Sequence, residues 1–307
     1  MNWILFAEQF LNGLQLGVLL FLIAAGLTLV FGIMDFVNLA HGSLYMMGAY
    51  FCADVTVRTG SFFIGLLVGI PATLLLGIVV EVVALRTLYS RDHLDQVLAT
   101  FGFILFFNQI VQVIWPLDGI AIPTPAGFTT AVPLGFGMEY SSYRIAIIGT
   151  GLAVGLGLYL LVGRTRIGML IRAGASNREM VGALGVNIKL LFSLVFGLGA
   201  ALAGLAGMLN TPIHSATSGM GEPVLILAFV VIVIGGIGSI RGAFIAAIIA
   251  GVIDTLGRSY LDVLLLQFLP PVHAESAGPA LSAMLIYILM AAVLAVRPQG
   301  LFPPRGR

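Results

Sequence analysis

From Gln9 to Met34 the chain runs for 26 residues without a charged side chain, and stretches of the same kind recur along its whole length. An uncharged apolar run of about 20 residues can cross a bilayer as a helix. The pattern predicts helices over 10–31, 36–57, 61–85, 96–115, 142–163, 190–211, 223–240, 243–262 and 279–296. Several are interrupted by glycine, and Pro71 lies inside the third, which membrane helices tolerate because neighbouring groups satisfy the freed backbone. Segment 36–57 differs. It carries Asn38, His41, Gly42, Ser43 and Asp54, so it reads either as a broken or re-entrant helix or as a crossing. Nothing basic precedes the first run and no small-residue cleavage site follows it, so it reads as a membrane helix and not as a cleaved signal.

Composition agrees with the pattern. Hydrophobic residues make up 60% of the 307 and charged residues 9%, with a net charge of +1. A water-soluble domain carries about 25% charge, so a soluble enzyme is excluded. Without a basic excess to neutralise phosphates, nucleic acid is excluded as a partner. Thirty-nine glycines and a mean hydropathy of +1.11 point to helices that pack closely within a bilayer. The single cysteine, Cys52, forms no internal disulfide. The expected fold is an all-α polytopic membrane protein of about nine segments, eight to ten, some broken or re-entrant. Residues 1–307 read as one transmembrane domain of two weakly related halves.

Basic residues set the orientation, because loops rich in Lys and Arg stay on the cytoplasmic side. Residues 164–189 hold Arg164, Arg166, Arg172, Arg178 and Lys189 against one acid, Glu179. Arg297, Arg305 and Arg307 mark the C-terminus as cytoplasmic, and Arg86 and Arg91 a further inner loop. Residues 116–141 contain no base and four prolines, so they read as an ordered outside loop, and 263–278 also falls outside. Nine spans put the N-terminus outside; a re-entrant 36–57 puts it inside.

Much chemistry is missing. Ile188 precedes Lys189, the sole lysine, so no Walker A sequence exists. Gly236-Ile237-Gly238 lacks the third glycine and strand context of a dinucleotide site. His41, His93, His214 and His273 have no metal-ligand spacing. No enzyme, cofactor or metal is expected.

Other features carry structure. Gly13/Gly17, Gly65/Gly69, Gly151/Gly155 and Ala203/Gly207 repeat small residues on helix faces and predict close helix contacts. Asp254 and Arg258 share a face and can pair; Asp254 reads as the only acid well inside a span. Asn108 and Gln112 share a face suited to interhelical hydrogen bonds. A polar break, Asp35–Ser43, opens one helix, and a second, Gly235–Gly242, opens another in the second half. Paired interruptions point to transporter repeats around a central path, so Asn38, His41, Gly42, Ser43, Gly236, Gly238 and Ser239 are the candidate pathway residues.

The basic loop holds the most specific local signal. Ser176-Asn177-Arg178-Glu179 reads as a capping box, with Ser176 accepting from the Glu179 N–H. The helix would run through Met180, Gly182, Ala183 and Leu184 and stop at Gly185, flanked by Arg172 and Lys189. Such a helix offers small and apolar side chains to a cytoplasmic protein, or lies on anionic lipid.

These residues reach a known family. Gly26-Leu27-Thr28-Leu29-Val30-Phe31-Gly32-Ile33-Met34 with Asn38-Leu39-Ala40-His41-Gly42 resembles the first-half signature of permeases of branched-chain amino-acid ABC importers. Arg172–Asn177 with Ala183–Asn187 resembles that family's ATPase-coupling loop. Gly235–Gly242 is similar to its second-half motif, and Arg297–Phe302 to its end. The NxAHG form is similar to the H-type (LivH) subunit. The resemblance implies a passive translocation subunit in a bacterial inner membrane. Its partners would be a homologous M-type permease, two cytoplasmic ATPase subunits and a periplasmic substrate-binding protein. Importers of urea and short amides share nearly the same motifs, and an ion-coupled secondary transporter or a channel is the reading from a different class.

Overall fold

The computed structural model describes residues 3–135, 137–267 and 270–302; Arg305, Arg307 and the Arg178 side chain lie outside the described residues. In chain order the helices are α1 (Trp3–Met34), α2 (His41–Thr59), α3 (Phe62–Val83), α4 (His93–Ile114), α5 (Ser142–Arg164), α6 (Arg166–Ser176), α7 (Arg178–Ala183), α8 (Ile188–Asn210), α9 (Gly221–Gly235), α10 (Ile240–Leu265) and α11 (Pro271–Val296). A 3-10 turn, Leu85–Leu88, follows α3, and a β-hairpin, β1 (Ala131–Gly135) with β2 (Met138–Ser141), precedes α5. The hairpin lies inside the proline-bearing 116–141 segment, where the sequence predicts only an ordered loop.

Each of the nine predicted segments coincides with a helix, and seven helices are long and apolar enough to cross a bilayer. The protein is therefore a multi-pass, all-α membrane protein with seven long spans among the described residues. The other two fall outside that group: the sequence expects a full crossing over 223–240 and leaves 36–57 open between a crossing and a broken or re-entrant helix. With its histidine, Asp54 and Arg58, α2 is too polar over its 19 residues. At 15 residues α9 rises only about 22 Å, short of a hydrocarbon core of about 30 Å.

Burial sorts the spans into two layers. The most apolar window of α1 is 89% buried and that of α8 83%, whereas the windows of α3, α4, α5 and α11 are 22% buried or less. α1 is a central post packed against α8, α10, α5 and α9. Its glycines set the approach: Gly13 and Gly17 face the backbone of Val252 and Ala247–Ile248 in α10, and Gly26 faces Gly199 in α8. The outer helices turn Leu67, Leu75, Val83, Leu98, Phe101 and Val113 outward, as a lipid-facing surface requires.

The two halves repeat one plan. α1, an interruption and α2–α3 are matched by α8, an interruption and α9–α10. Packing is correspondingly reciprocal: α1 lies on α10 as α8 lies on α3, α1 meets α8, and α2 meets α9. Here the structure revises the sequence pairing. The counterpart of the Asp35–Ala40 break is 211–220, which leads from α8 into α9, whereas 236–239 joins α9 to α10 as 60–61 joins α2 to α3. Glycine content drew the sequence comparison to 235–242, but the true counterpart is built from Thr211, Pro212, Ser215 and Thr217. Both helices that follow the matched breaks begin inside the stack, with Gly42 against Gly221.

Candidate functional site

One end of the bundle gathers the ends of α1, α3, α5, α9 and α11, the starts of α4, α8 and α10, and the short helices α6 and α7. It carries most of the basic residues and is called the basic end below. Three helices in a row are capped here by side chains that relieve free N–H groups. Thr165 Oγ1 accepts from Gly168 N at 3.0 Å, Asn177 Oδ1 from Met180 N at 2.9 Å, and Asn187 Oδ1 from Leu190 N at 3.1 Å. The predicted capping box is therefore displaced by one residue. Ser176 is the last residue of α6, and the extended Asn177 (φ −154°) caps α7. The helix expected over Ser176–Gly185 is in fact the shorter α7, set at the end of a separate helix that contains Arg172.

The predicted stop holds. Gly185 has φ +88°, Gly185 N donates to Gly182 O at 3.0 Å, and Val186 N donates to Val181 O at 3.3 Å. That pair of bonds is the Schellman closure of a helix. Around this frame Met180 is 59% exposed and Leu184 77% exposed, while Gly182, Ala183 and Glu179 are also exposed. Arg172 donates to the Val162 carbonyl at the end of α5. A cavity of about 300 Å³ separates the turn at Gly174–Asn177 and Glu179 from Ile33 and Asp35 at the end of α1. The α6–α7 pair thus stands directly under the central helix.

Beside it lies a cluster that the sequence reading missed. Glu81 of α3 is fully buried and is a second acid inside a span, contrary to the expectation for Asp254. Arg86 donates to both of its oxygens, Nε to Oε1 at 3.2 Å and Nη2 to Oε2 at 3.0 Å. Ser193 Oγ of α8 adds a 2.6 Å bond to Oε2, and Tyr89 Oη a 3.0 Å bond to Oε1. Four groups from three elements satisfy one another, which is what a buried carboxylate demands. Burial, reinforced by the Glu81 carboxylate, holds the Tyr89 phenol well above its ordinary pKa. A glutamate five residues before an arginine at a span's end was the available signal.

The pathway candidates separate into three surroundings. Asn38 and His41 are completely buried, and their side-chain nitrogen and oxygen atoms have no partner of hydrogen-bond geometry among the described residues. The His41 imidazole lies against Gly26, and the chain before it is fastened by Val37 N donating to Gln96 Oε1 at 3.3 Å. Gly42 and Ser43, by contrast, line a small gap with Asn108, Gly221 and Glu222. Gly236 and Gly238 have φ of +99° and +86°, and Ser239 Oγ caps α10 by accepting from Gly242 N at 3.1 Å; this turn lies at the basic end, remote from Ser43. The chain end closes over it: Leu301 N donates to Ile234 O at 2.8 Å and Phe302 N to Gly235 O at 3.0 Å, satisfying the terminal carbonyls of α9.

On the α4 face Asn108 Nδ2 donates to Glu222 Oε1 at 2.6 Å and Gln112 Nε2 to Ser218 Oγ at 3.1 Å. The shared face of Asn108 and Gln112 thus serves as a bridge between elements. Arg258 Nε and Asp254 Oδ2 pair at 2.9 Å. At the far end, Ile120 and Ala216 exchange two backbone bonds of 2.9 Å, tying the 116–141 segment to the connection before α9.

Comparison with known proteins follows from this geometry. Residues 9–294 match the family described as the permease component of branched-chain amino acid transport systems. The high-affinity branched-chain amino acid transport system permease protein BraD of Pseudomonas aeruginosa is 32% identical over 275 residues, covering 84% of this chain and 90% of that one. The corresponding permease protein LivH of Escherichia coli is 30% identical over 276 residues, 85% of this chain and 89% of that one. A probable branched-chain amino acid transport permease, LivH of Methanocaldococcus jannaschii, is 28% identical over 256 residues, covering 79% of this chain and 78% of that one. No solved structure matches the chain.

Proposed function

The chain belongs to the permease-component family of branched-chain amino acid transport systems, and from that membership we propose that it is the H-type translocation subunit of an ATP-driven importer. Its cargo is leucine, isoleucine and valine, which the relatives' names support. It works with a homologous M-type permease, two cytoplasmic ATPase subunits and a periplasmic substrate-binding protein, in the inner membrane. The basic end is cytoplasmic and carries the C-terminus. The chain itself is no enzyme; ATP is hydrolysed by its partners.

One observation carries this reading. α6 and α7 form a capped pair within 164–189, and the pair offers exposed Met180 and Leu184 beside small Gly182 and Ala183. Two exposed apolar side chains next to small residues suit a protein cleft. A helix lying on lipid would carry a continuous face of Trp, Phe and Leu-type residues. In this reading Arg172, Ser176, Asn177, Arg178, Glu179 and Gly185 shape the coupling element, and its motion reaches α1 across the Ile33–Asp35 contact. The path runs beside the breaks bounded by Asn38–Ser43 and Gly236–Ser239, and 116–141 receives the loaded binding protein at the far end. Reconstitution with the four partners and radiolabelled leucine is the test. Binding-protein-dependent, ATP-dependent uptake of leucine is expected. Uptake of urea and of no branched-chain amino acid would replace the assigned cargo, and failure of ATPase subunits to co-purify would overturn the importer reading.

A further inference from the structure

Glu222 occupies an unusual place. It lies in the first turn of α9, roughly 20 Å along the helix axis from Gly235 at the basic end, and it is exposed on the single chain. Its only described side-chain bond is the one it accepts from Asn108. A carboxylate turned toward lipid at such a depth is costly, and charged groups within membrane segments face either the protein interior or a wet cavity. The surface around it is graded accordingly. Leu105, Phe106 and Val113 of α4 are exposed and apolar. Asn108 and Gln112 instead join Ser218 and Glu222 in a polar strip. That strip borders the gap at Gly42 and Ser43, where α2 and α9 begin.

We propose that the Glu222 carboxylate, held by Asn108, lines the water-filled translocation path and receives the α-ammonium group of the amino acid in transit. The assignment rests on the importer reading and names the residue within it that meets the polar end of the cargo. An apolar side chain such as that of leucine needs no polar partner on its way through. Its ammonium group does, because it sheds part of its hydration in a narrow passage between apolar walls, and a counter-charge offsets that cost. Glu222 is the acid that the strip supplies, and Asn108 fixes its orientation through the amide bond. The same carboxylate is well placed for the positive end of the α9 dipole, so removal of charge and removal of bulk have separate effects that the test must resolve.

Two measurements on the assembled transporter do so. First, cysteine is placed at 222, at 112 and at the lipid-facing 105 in a Cys52→Ala background, and each variant is treated with a positively charged, membrane-impermeant thiol reagent. Reaction at 222 and 112 and none at 105 is expected. An unreactive 222 in the complex, including one that reacts only in the isolated subunit, means that the residue faces a partner or lipid and overturns the assignment. Second, leucine uptake is measured against binding-protein concentration. Glu222→Gln keeps the size and the Asn108 bond, so ATPase co-purification is expected to match the parent while the maximal uptake rate falls by about tenfold or more, as loss of a charge-assisted bond predicts. The binding-protein concentration for half-maximal uptake should stay unchanged, and Glu222→Asp should recover part of the rate. Parental uptake by Glu222→Gln overturns the proposal. If the unmutated complex carries no leucine at all, the cargo reading fails instead, and the labelling pattern alone judges whether 222 faces the path.

Discussion

Gly42 and Gly221 face each other where α2 and α9 begin, so close that a Cβ on Gly42 would lie 2.5 Å from the Gly221 carbonyl oxygen. A Cβ on Gly221 would in turn run into the Gly42 carbonyl. No flexible side chain can give way, because both obstacles are backbone.

Alanine at either position should therefore force the two helix starts apart, at a cost of about 1–3 kcal/mol. Gly102 and Gly149 are the controls: each lies in a helix with nothing within 4 Å of an added Cβ, and alanine there should stabilise by up to about 1 kcal/mol. Thermal melting of the detergent-solubilised protein separates the pairs, with lowered midpoints for the first two and unchanged or raised midpoints for the others. Equal midpoints for all four would show that the α2–α9 contact does not limit the fold.

Ser193 stabilises the buried Glu81 carboxylate by a 2.6 Å bond. Ser193→Ala removes that donor without opening a large void, and bonds to charged groups contribute about 1.5–3 kcal/mol. The expected outcome is a lower melting midpoint with normal membrane insertion, measured by heating in detergent and by membrane fractionation. A midpoint equal to the parent's would mean that Arg86 and Tyr89 suffice.

The α7 surface makes a functional prediction. Gly182 is exposed, and an added Cβ meets only Ile188 at an ordinary 3.6 Å, so Gly182→Trp or Ala183→Trp should fold and insert. If α7 enters an ATPase cleft, either variant should abolish most substrate-stimulated ATP hydrolysis in the reconstituted complex. Normal stimulation would move coupling to another basic-end segment, the one over 86–95 being the nearest. Gly185→Ala acts differently: at φ +88° a side chain costs about 1–2 kcal/mol, which should loosen the end of α7 and weaken coupling without blocking a cleft.

At the chain end, Gly300 has φ +82°, and a Cβ there would lie 2.5 Å from Gly236 N. Gly300→Val should detach residues 301–302 from Ile234 and Gly235 and leave two α9 carbonyls without their donors. Protease accessibility of the C-terminus in inside-out vesicles should rise. Unaltered protection would show that other contacts hold the segment.

The helices were legible because apolar runs report burial in lipid or protein without needing to distinguish them. That indifference also explains what was not legible. The hydropathy of α1 and α3 is equal at 2.6, yet one is 89% buried and the other 22%; composition could not tell the central post from the lipid-facing wall. The cap moved from Ser176 to Asn177 because both residues can cap, and the choice lies in where α6 ends. Glu81 escaped notice because its partners, Arg86 and Ser193, are remote from each other in sequence and meet only when α3 packs on α8. The match between 35–40 and 211–220 is one of architecture, invisible to residue composition. Glu222 was passed over for the same reason: its meaning lies in what surrounds it on the folded surface.

The burial of α1 also bears on how the chain is made. α1 is enclosed over most of its apolar length, and its main neighbours, α8 and α10, are encoded more than 150 residues later. Until they are synthesised, its glycine faces must wait in lipid or against a temporary escort. Insertion of α8 and α10 therefore completes the surroundings of a helix already in place. A nascent chain halted after α5 should be a substrate for membrane quality control, whereas one extended through α10 should escape it.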